Sequence, residues 1–524
     1  MSTSYGTILL YLLLITLLSY SWVYTDISSP NERSRAYLAV ALVDHGTIKI
    51  NKPFQKFGKI MDYSFYKGNK YTDKAPGTGF IAACVYGIAR VFTKVNNWSI
   101  SDILNLFRTF LMIPLGVLFF WLVRKLLATY AFSKMTIDAV SVFISLGSAS
   151  FHYSTVLLGH HIVSVLFVSV LLLEKTKTNG HTLSATKFFF LGLLAGLAGF
   201  VEYQSAIWCV PFACYVLYKN WNLSAAAPFV LGSGIFIALL ILYNHFAYDD
   251  PFALSYHHLT KDVQGRHSAG IAGVSIPKMS SLLGILFSLH RGLFTTSPFF
   301  LLIFPGFYFL FKAGYKDLFI LLTVTFVGYL AFISGAKIWH GGWAFGPRLL
   351  IPMFGVLSVP VAFGFERAAQ KPILMFFSIG LGVCSLLYNQ FTHLVFQTFP
   401  TNSFNPFLDI VIPAAKKELF SPNLFSHYLG LAGYASVLPA ILALAIIVTY
   451  IFFYGWVSKP KNKARYFTFL ASLLPVAVLA SVMILAGPSW KDKKTQKFTR
   501  WLNKINKHEV MLIEKKIATK RSGV

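Results

Sequence analysis

The chain has 524 residues, of which 56% are hydrophobic and only 12% are charged. This composition excludes a disordered chain, which needs low hydrophobicity and dense charge, and it falls well short of the roughly 25% charged residues usual in soluble domains. The formal net charge is +27. Because the cations lie mostly between apolar runs and in a basic tail, they favour anionic lipids and lipid phosphates as partners, and not nucleic acid.

Long apolar runs predict an all-α polytopic membrane protein with roughly 11 to 14 transmembrane helices, since runs of about 18 residues suggest membrane spans. The first run, Tyr5 to about Tyr24, has neither the positive residues nor the cleavage pattern of a signal peptide, so an uncleaved first helix is expected. The further predicted spans lie at about 77–95, 104–127, 136–150, 161–174, 187–201, 205–218, 225–244, 296–313, 317–335, 350–366, 372–391, 432–457 and 466–487. Several are short, and tilted or broken helices are expected there.

The first long polar segment, residues 25–76, predicts an amphipathic helix. Ser29 and the proline after it are typical of a helix start, and Gly46 is typical of a helix end. Glu32 lies in the first turn, where the helix dipole favours a carboxylate, and it shares a face with Arg35 three residues later. The two side chains are either an ordinary surface pair or part of a site at the membrane edge.

Lys74 lies at the entry of the second span, beside a proline and a glycine. A cation in this position can pair with a phosphate or a lipid headgroup, and the simpler interpretation is a lysine whose stem lies along the span end.

Two polar groups interrupt the middle spans. Glu202 and Tyr203 follow one apolar helix and precede another, and a carboxylate so close to hydrocarbon is costly, so it is either functional or a simple span-end residue. His160 and His161 are adjacent and would point about 100° apart on a helix, which makes a poor chelate. One of them can face a cavity while the other packs in the core.

The segment Trp339–Arg348 reads WHGGWAFGPR, in which glycine and proline forbid a continuous helix. Its tryptophans, including Trp343, mark an interface, and irregular backbone at this depth is tolerated where it lines a cavity. The planar guanidinium of Arg348 suits bidentate phosphate binding, with an interfacial loop and a snorkelling arginine as the alternative. His340 is a further polar candidate, and Arg291, near a predicted helix start, is a second phosphate candidate.

The C-terminal segment, residues 488–524, is predicted to be separate from the transmembrane domain at 1–487. It is either a basic amphipathic helix on a membrane surface or a solvated tail. The short basic loop at 459–465 is expected to be cytoplasmic, which would put this tail outside.

These motifs resemble the large membrane glycosyltransferases of the GT-C fold. The matching branch contains protein O-mannosyltransferases, aminoarabinose transferases and RgtA/B/C/D-like bacterial enzymes. Its first loop usually has Asp-Glu followed by Arg or Tyr, and later Lys-Pro-Pro. Here the matching strings are Asn31-Glu32 with Arg35, and Asp73-Lys74-Ala75-Pro76. The Gly-Gly-Trp-x-x-Gly-Pro-Arg string ending at Arg348 is the more specific match.

The resemblance implies a polyprenyl-phosphate sugar donor, chemistry on the outer face and inversion at the anomeric carbon. Glu32, with Asp26 as the alternative, is expected to be the general base, and Lys74, Arg348, Arg35 and Arg291 are expected to bind the donor phosphate. His340, Glu202, Tyr203, His160, His161 and Trp343 are substrate-binding candidates. The acceptor is a glycan, lipid or protein in a bacterial inner (plasma) membrane setting.

The scheme requires no cofactor and leaves a divalent metal open. A transporter or flippase of a lipid-linked glycan would use the same cations, and a non-catalytic scaffold would use the polar loops to bind a partner.

Overall fold

The structure is a computed structural model that describes residues 5–20, 29–93, 98–175, 184–220, 223–259, 273–457 and 464–521. Asp26 and residues 459–463 of the predicted basic loop lie outside these described residues, while the last two residues of that loop belong to a helix that begins at Ala464. The described part is a helical bundle with one small β-hairpin.

Six helical segments of the described chain are long and apolar enough to cross a membrane: Ile100–Ala128, Ala225–Tyr248, Lys316–Gly335, Arg348–Ala368, Pro372–Val395 and Gly433–Phe453. Shorter apolar helices lie at Tyr5–Tyr20, Gly77–Phe92, Ala185–Val201, Pro298–Lys312 and Ser472–Ala486. The expected all-α multi-pass membrane architecture is confirmed.

The N-terminal half contains twelve described α-helices. They are α1 (Tyr5–Tyr20), α2 (Pro30–His45), α3 (Asn51–Phe57), α4 (Gly77–Phe92), α5 (Ile100–Phe107), α6 (Ile113–Ala128), α7 (Lys134–Ser145), α8 (Ala149–Tyr153), α9 (Gly159–Lys175), α10 (Ala185–Val201), α11 (Ala206–Lys219) and α12 (Leu223–Tyr248). A π-helical turn at Arg108–Met112 joins α5 to α6. The run predicted at 136–150 is broken into α7 and α8, as expected for a short span.

The C-terminal half continues with α13 (Met279–Phe287), α14 (Leu293–Thr296), α15 (Ile303–Lys312), α16 (Lys316–Gly335), α17 (Ile351–Ala368), α18 (Pro372–Val395), α19 (Ile412–Ala415), α20 (Leu424–Leu429), α21 (Gly433–Val457), α22 (Ala464–Ala486) and α23 (Asp492–Arg521). The basic tail is therefore helical from Asp492 onwards within the described chain.

The first loop folds as its sequence predicts at both ends of α2. Ser29 caps the helix, and a capping box joins it to Glu32. Gly46 ends the helix with φ 59°, a left-handed conformation that favours glycine. Residues 36–41 are buried on every side, so α2 is part of the core and does not expose one face.

A β-hairpin that the sequence analysis did not predict follows α3. Strand β1 (Ser64–Tyr66) pairs antiparallel with β2 (Asn69–Tyr71). The turn between them places Lys67 at φ 45° and Gly68 at φ 79°. This conformation is typical of tight hairpin turns, and the Lys67-Gly68 pair was the available signal.

Glycines let α10 and α12 pack closely. A Cβ atom at Gly192 would lie 2.0 Å from the carbonyl oxygen of Phe229, and one at Gly196 would lie 2.6 Å from the carbonyl oxygen of Ser233. Small residues at this spacing allow helix backbones to approach in a membrane. Gly192 and Gly196 therefore permit the close approach of α10 and α12.

The polar segments meet at one end of the bundle. Ser64 in β1 forms an isolated bridge with Leu259, and Ala344 forms another with Phe399. The hydroxyl of Ser255 donates to the Asp73 carbonyl at 2.8 Å. The first loop, the segments after α12 and α16, and the segment after α18 therefore build one face.

Candidate functional site

Glu32 is buried at this polar end, with 6% of its surface exposed. Its Oε1 accepts a hydrogen bond from the Leu157 amide at 3.2 Å, and its Oε2 accepts one from the Ser29 amide at 3.4 Å. Burial raises the pKa of Glu32 to about 7, although these two bonds and the Arg35 charge oppose the rise. A carboxylate that ionises near neutral pH suits general base catalysis.

Arg35 and Glu202 form a buried ion pair between α2 and the end of α10. Arg35 Nη2 donates to Glu202 Oε1, and His160 Nδ1 lies 3.7 Å from the same oxygen. Burial alone would raise the pKa of Glu202, but the Arg35 charge, with smaller contributions from His160 and Lys74, lowers it below its usual value. Glu202 is therefore an ionised carboxylate that holds Arg35 in place.

Lys74 lies between two carboxylates. Its Nζ is 2.6 Å from Asp73 Oδ2 and 3.3 Å from Asp62 Oδ2. Burial would raise the pKa of Asp62, but Lys74 and then Arg348 and Arg35 lower it. Burial raises the pKa of Asp73, so Asp62 is the more readily ionised of the two carboxyl groups.

Arg348 lies at the end of the Trp339–Arg348 loop and is half-buried. Its charge is close enough to Asp62 to help lower the pKa of that carboxyl group. Its Nε is buried and has no hydrogen-bond partner among the described residues. A Cβ atom on Gly341, which has φ 74°, would lie 3.3 Å from that nitrogen, so a glycine keeps the space beside it open. Burial raises the pKa of the Tyr153 hydroxyl, the Arg348 charge lowers it and the Glu32 charge raises it, so both charges lie near this hydroxyl.

Arg291 holds the backbone around Arg348. Its guanidinium donates to the carbonyl oxygens of His290, His340, Gly342 and Phe399 at 2.9–3.3 Å. These four bonds use Nε, Nη1 and Nη2, so the geometry makes Arg291 a residue that positions the loop.

The remaining residues that the sequence analysis selected lie in different surroundings. His340 Nδ1 accepts from the Gly342 amide at 3.1 Å and shapes the loop, while Trp343 is 49% exposed on its surface. Tyr203 packs against Tyr256, with ring centroids 5.9 Å apart. His161 is fully buried against the Phe119 ring, away from its neighbour, which joins the Glu202 pair.

Sequence reasoning did not select Asp62 and Asp73, which surround Lys74, or Tyr256, which lies beside them. Lys74 and Glu202 both act on the buried Tyr256 hydroxyl. The signal for Asp73 was its position next to Lys74, and the signal for Asp62 was the scarcity of acids, only 19 in the chain. We name Glu32, Arg35, Asp62, Asp73, Lys74, His160, Glu202 and Arg348 the charged cluster.

The described residues contain no group of three or more His, Cys, Asp or Glu side chains arranged to hold a metal ion. That the reaction requires no cofactor stays a prediction of the sequence analysis, which leaves a divalent metal open.

No family model matches the chain, and no curated protein matches it. Solved structures do. ArnT from Cupriavidus metallidurans bound to undecaprenyl phosphate is 11% identical over 92% of this chain and 78% of its own, with a TM-score of 0.49. Arabinosyltransferase EmbB from Mycobacterium smegmatis is 11% identical over 92% of this chain and 41% of its own, with a TM-score of 0.43.

The Archaeoglobus fulgidus oligosaccharyltransferase tethered to an acceptor peptide is 12% identical over 74% of this chain and 54% of its own, with a TM-score of 0.46. These three proteins are glycosyltransferases of the GT-C fold, the fold expected from the sequence.

Proposed function

We propose that this protein transfers a sugar from a polyprenyl-phosphate-linked donor to an acceptor hydroxyl group. The observation that carries the proposal is the charged cluster itself. A buried carboxylate that ionises near pH 7, Glu32, shares one end of the bundle with a guanidinium, Arg348, whose Nε has no hydrogen-bond partner among the described residues.

Glu32 acts as the general base. The acceptor O–H gives its proton to the Glu32 carboxylate, and the acceptor oxygen forms a bond to the anomeric carbon of the sugar. The bond between that carbon and the phosphate oxygen breaks, and the polyprenyl phosphate leaves with the electron pair. Removal of the proton in the transition state favours the attack, as general base catalysis requires.

Arg348 stabilises the leaving phosphate. A planar guanidinium binds phosphate oxygens through two parallel hydrogen bonds, and it is most effective where water is excluded. Lys74 is paired with Asp62 and Asp73, and Arg35 with Glu202, so both of these cations are already largely neutralised. Arg348 is therefore the primary phosphate ligand in this proposal, and Lys74 adds charge from a second side.

Asp26 stays a prediction as the alternative base, because it lies outside the described residues. The resemblance of the sequence motifs supports a bacterial inner membrane with the site on the outer face. The acceptor is a hydroxyl of a glycan, a lipid or a protein.

The first experiment is mass spectrometry of cell-envelope glycans from cells with and without this protein. Loss of one glycan modification, restored by the wild-type chain, supports transfer. Complementation by Glu32→Gln should fail, while binding of the polyprenyl-phosphate donor to that variant stays near the wild-type level. A flippase would not need this carboxylate for proton transfer, so full complementation by Glu32→Gln would remove the base role.

Arg348→Ala tests the phosphate role. We expect weaker donor binding by about tenfold or more, because hydrogen bonds to charged groups contribute about 1.5–3 kcal/mol. Arg367→Ala is the matched control, since Arg367 lies near the end of α17 opposite to Arg348, where its guanidinium donates to Gln370 and lies over the Phe309 ring. Equal donor affinity of both variants would exclude Arg348 as the phosphate ligand.

A further inference from the structure

Helix α23 carries a row of cations on one face. Lys493, Lys497, Arg500 and Lys504 are all exposed, and they are separated by four, three and four residues. This spacing places the four side chains along one stripe of an α-helix. We name these four residues the cationic row, and no Asp or Glu lies between Lys493 and Asn506.

The opposite face of α23 is fixed to the protein. Thr499 and Leu502 are buried, and the Thr499 hydroxyl lies 3.3 Å from Lys417 Nζ, which donates to it. Asn506 Nδ2 donates to the Phe420 carbonyl at 3.2 Å. Because the helix is held on this side, the cationic row has a defined direction away from the bundle.

Asp409 holds the start of the helix close to the span that precedes it. The buried carboxylate of Asp409 accepts hydrogen bonds from the Ser489 amide at 2.7 Å and the Trp490 amide at 3.0 Å. The described span α22 ends at Ala486 and α23 begins at Asp492. Five intervening residues extend at most about 18 Å, so the cationic row starts near the membrane boundary.

The row lies at the same end of the bundle as the charged cluster. Phe396, directly after α18, contacts the rings of Phe498 and Trp501 at centroid distances of 5.5 Å and 6.3 Å. Three residues later, Phe399 pairs with Ala344 in the Trp339–Arg348 loop. Trp501, beside the row, is 36% exposed, and tryptophan is typical of the membrane–water interface.

We propose that the cationic row binds the headgroups of anionic phospholipids in the leaflet on this side of the membrane. Lysines and arginines next to a span attract anionic lipid, and each contributes independently of any shaped pocket. The absence of acids within the described row, the interfacial tryptophan and the short tether to α22 all favour a lipid surface as the partner. This proposal does not depend on the glycosyltransferase activity.

The test uses the full-length protein in detergent, titrated with fluorescent phosphatidylglycerol and separately with fluorescent phosphatidylcholine. The variant combines Lys493→Gln, Lys497→Gln and Lys504→Gln. The matched control combines Lys312→Gln, Lys316→Gln and Lys371→Gln, which removes three exposed lysines from the opposite end of the bundle. All six side chains are exposed, so both variants should elute like the wild type in size-exclusion chromatography.

We expect the row variant to bind phosphatidylglycerol at least about tenfold more weakly than the wild type, and the control less than about twofold more weakly. Phosphatidylcholine binding should be the same for all three proteins. Raising the salt from about 0.1 M to about 1 M, where the screening length falls from about 10 Å to about 3 Å, should abolish most of the difference.

Three results would overturn the proposal. Wild-type affinity of the row variant would show that the row is only solvated. An equal loss in the control would show that any surface lysine has the same effect. Displacement of phosphatidylglycerol by millimolar inorganic phosphate, or selective loss of polyprenyl phosphate binding in the row variant, would indicate a phosphate-binding pocket in place of a lipid-headgroup surface.

Discussion

The Glu32 carboxyl group accepts hydrogen bonds from two separate parts of the chain. It caps the first turn of α2 through the Ser29 amide, and it accepts from the Leu157 amide on the other side of the site. Two fixed donors keep the carboxyl in one orientation. Burial at the same time disfavours the ionised form, which keeps its pKa near 7. The fold thus orients a carboxyl group that is only just ionised at neutral pH.

This ionisation predicts how stability depends on pH. The pKa of Glu32 is raised from 4.5 to about 7 in the folded protein, so its favourable contribution is complete below pH 4.5 and is lost as the pH rises through 7. The full difference corresponds to about 3 kcal/mol. Glu32→Gln should therefore gain thermal stability relative to the wild type on going from pH 5 to pH 8, measured as the difference in Tm.

The amide of that variant has one acceptor oxygen for two amide donors, so a loss that does not vary with pH is expected in addition. Glu366→Gln, which removes a carboxylate bonded to Ser133, serves as the control. A Tm difference between Glu32→Gln and the wild type that is the same at pH 5 and pH 8 would contradict the raised pKa.

The Arg35–Glu202 pair predicts a large stability effect. Both side chains are buried, so Glu202→Gln would leave the Arg35 charge without its counter-ion. Removing one partner of a buried pair typically costs about 3–5 kcal/mol. The exposed Lys67–Asp249 pair is the control, and Asp249→Asn should leave the Tm unchanged. Thermal unfolding that shows the same Tm for both variants would mean that the pair does not stabilise the fold.

Sequence reasoning selected both Arg35 and Glu202 as candidates, but it did not pair them. The spacing of Glu32 and Arg35 and the cap at Ser29 are local features, so they could be predicted from neighbouring residues. The direction of Arg35 toward Glu202, 167 positions away along the chain, depends on how α2 packs against α10. Asp62 and Asp73 were missed for the same reason. Their role is to pair with Lys74 from two sides, and only the folded chain shows that arrangement.

At the scale of secondary-structure elements, the contact between α10 and α12 predicts that two glycine-to-alanine substitutions have opposite effects on thermal stability. Gly192→Ala would place a methyl group 2.0 Å from the Phe229 carbonyl oxygen and force the helices apart. Overpacking of this kind costs about 1–3 kcal/mol. Gly199→Ala, in the same helix, meets no atom within 4 Å and should gain up to about 1 kcal/mol from helix propensity.

Thermal unfolding of both variants measures the difference. The expected order of Tm is Gly199→Ala above the wild type and Gly192→Ala below it. If both variants shift in the same direction, close backbone approach does not hold this helix pair. The sequence predicts helix packing from the glycine spacing, but only the structure separates Gly192 from Gly199, because the spacing alone does not fix which side faces α12.

Helix boundaries were predictable to a few residues, as with the run predicted at 372–391 and α18 at Pro372–Val395. Apolar composition and span length fix such boundaries locally. The hairpin β1–β2 was not predicted, because three-residue strands carry no periodic signal. Arg291 was predicted as a phosphate ligand, and three of its four carbonyl partners come from segments that only the folded chain brings close to it.

At the scale of the whole molecule, the loops after α16 and α18 and the start of α23 form one connected layer over the bundle end. Asp409 bonds to the Ser489 and Trp490 amides, and Phe399 pairs with Ala344 and accepts from Arg291. The chain of contacts therefore runs from the C-terminal helix to the loop that carries Arg348. The cationic row places part of the net charge of +27 at this layer.

Asp409→Ala should loosen this layer as a unit. The substitution leaves the Ser489 and Trp490 amides without their acceptor, so the start of α23 loses its attachment, and the segment 396–411 loses the helix that covers it. Hydrogen exchange should become faster at 396–411 and at 488–506, and to a smaller degree in the Trp339–Arg348 loop. Asp317→Ala, at an exposed residue in the first turn of α16, is the control and should leave exchange unchanged. Faster exchange confined to 488–506 would show that the tail is attached to the bundle but not coupled to the loop. In that case Arg291 and Phe399 hold the Trp339–Arg348 loop without help from the C-terminal helix. The proposed donor affinity should then survive Asp409→Ala.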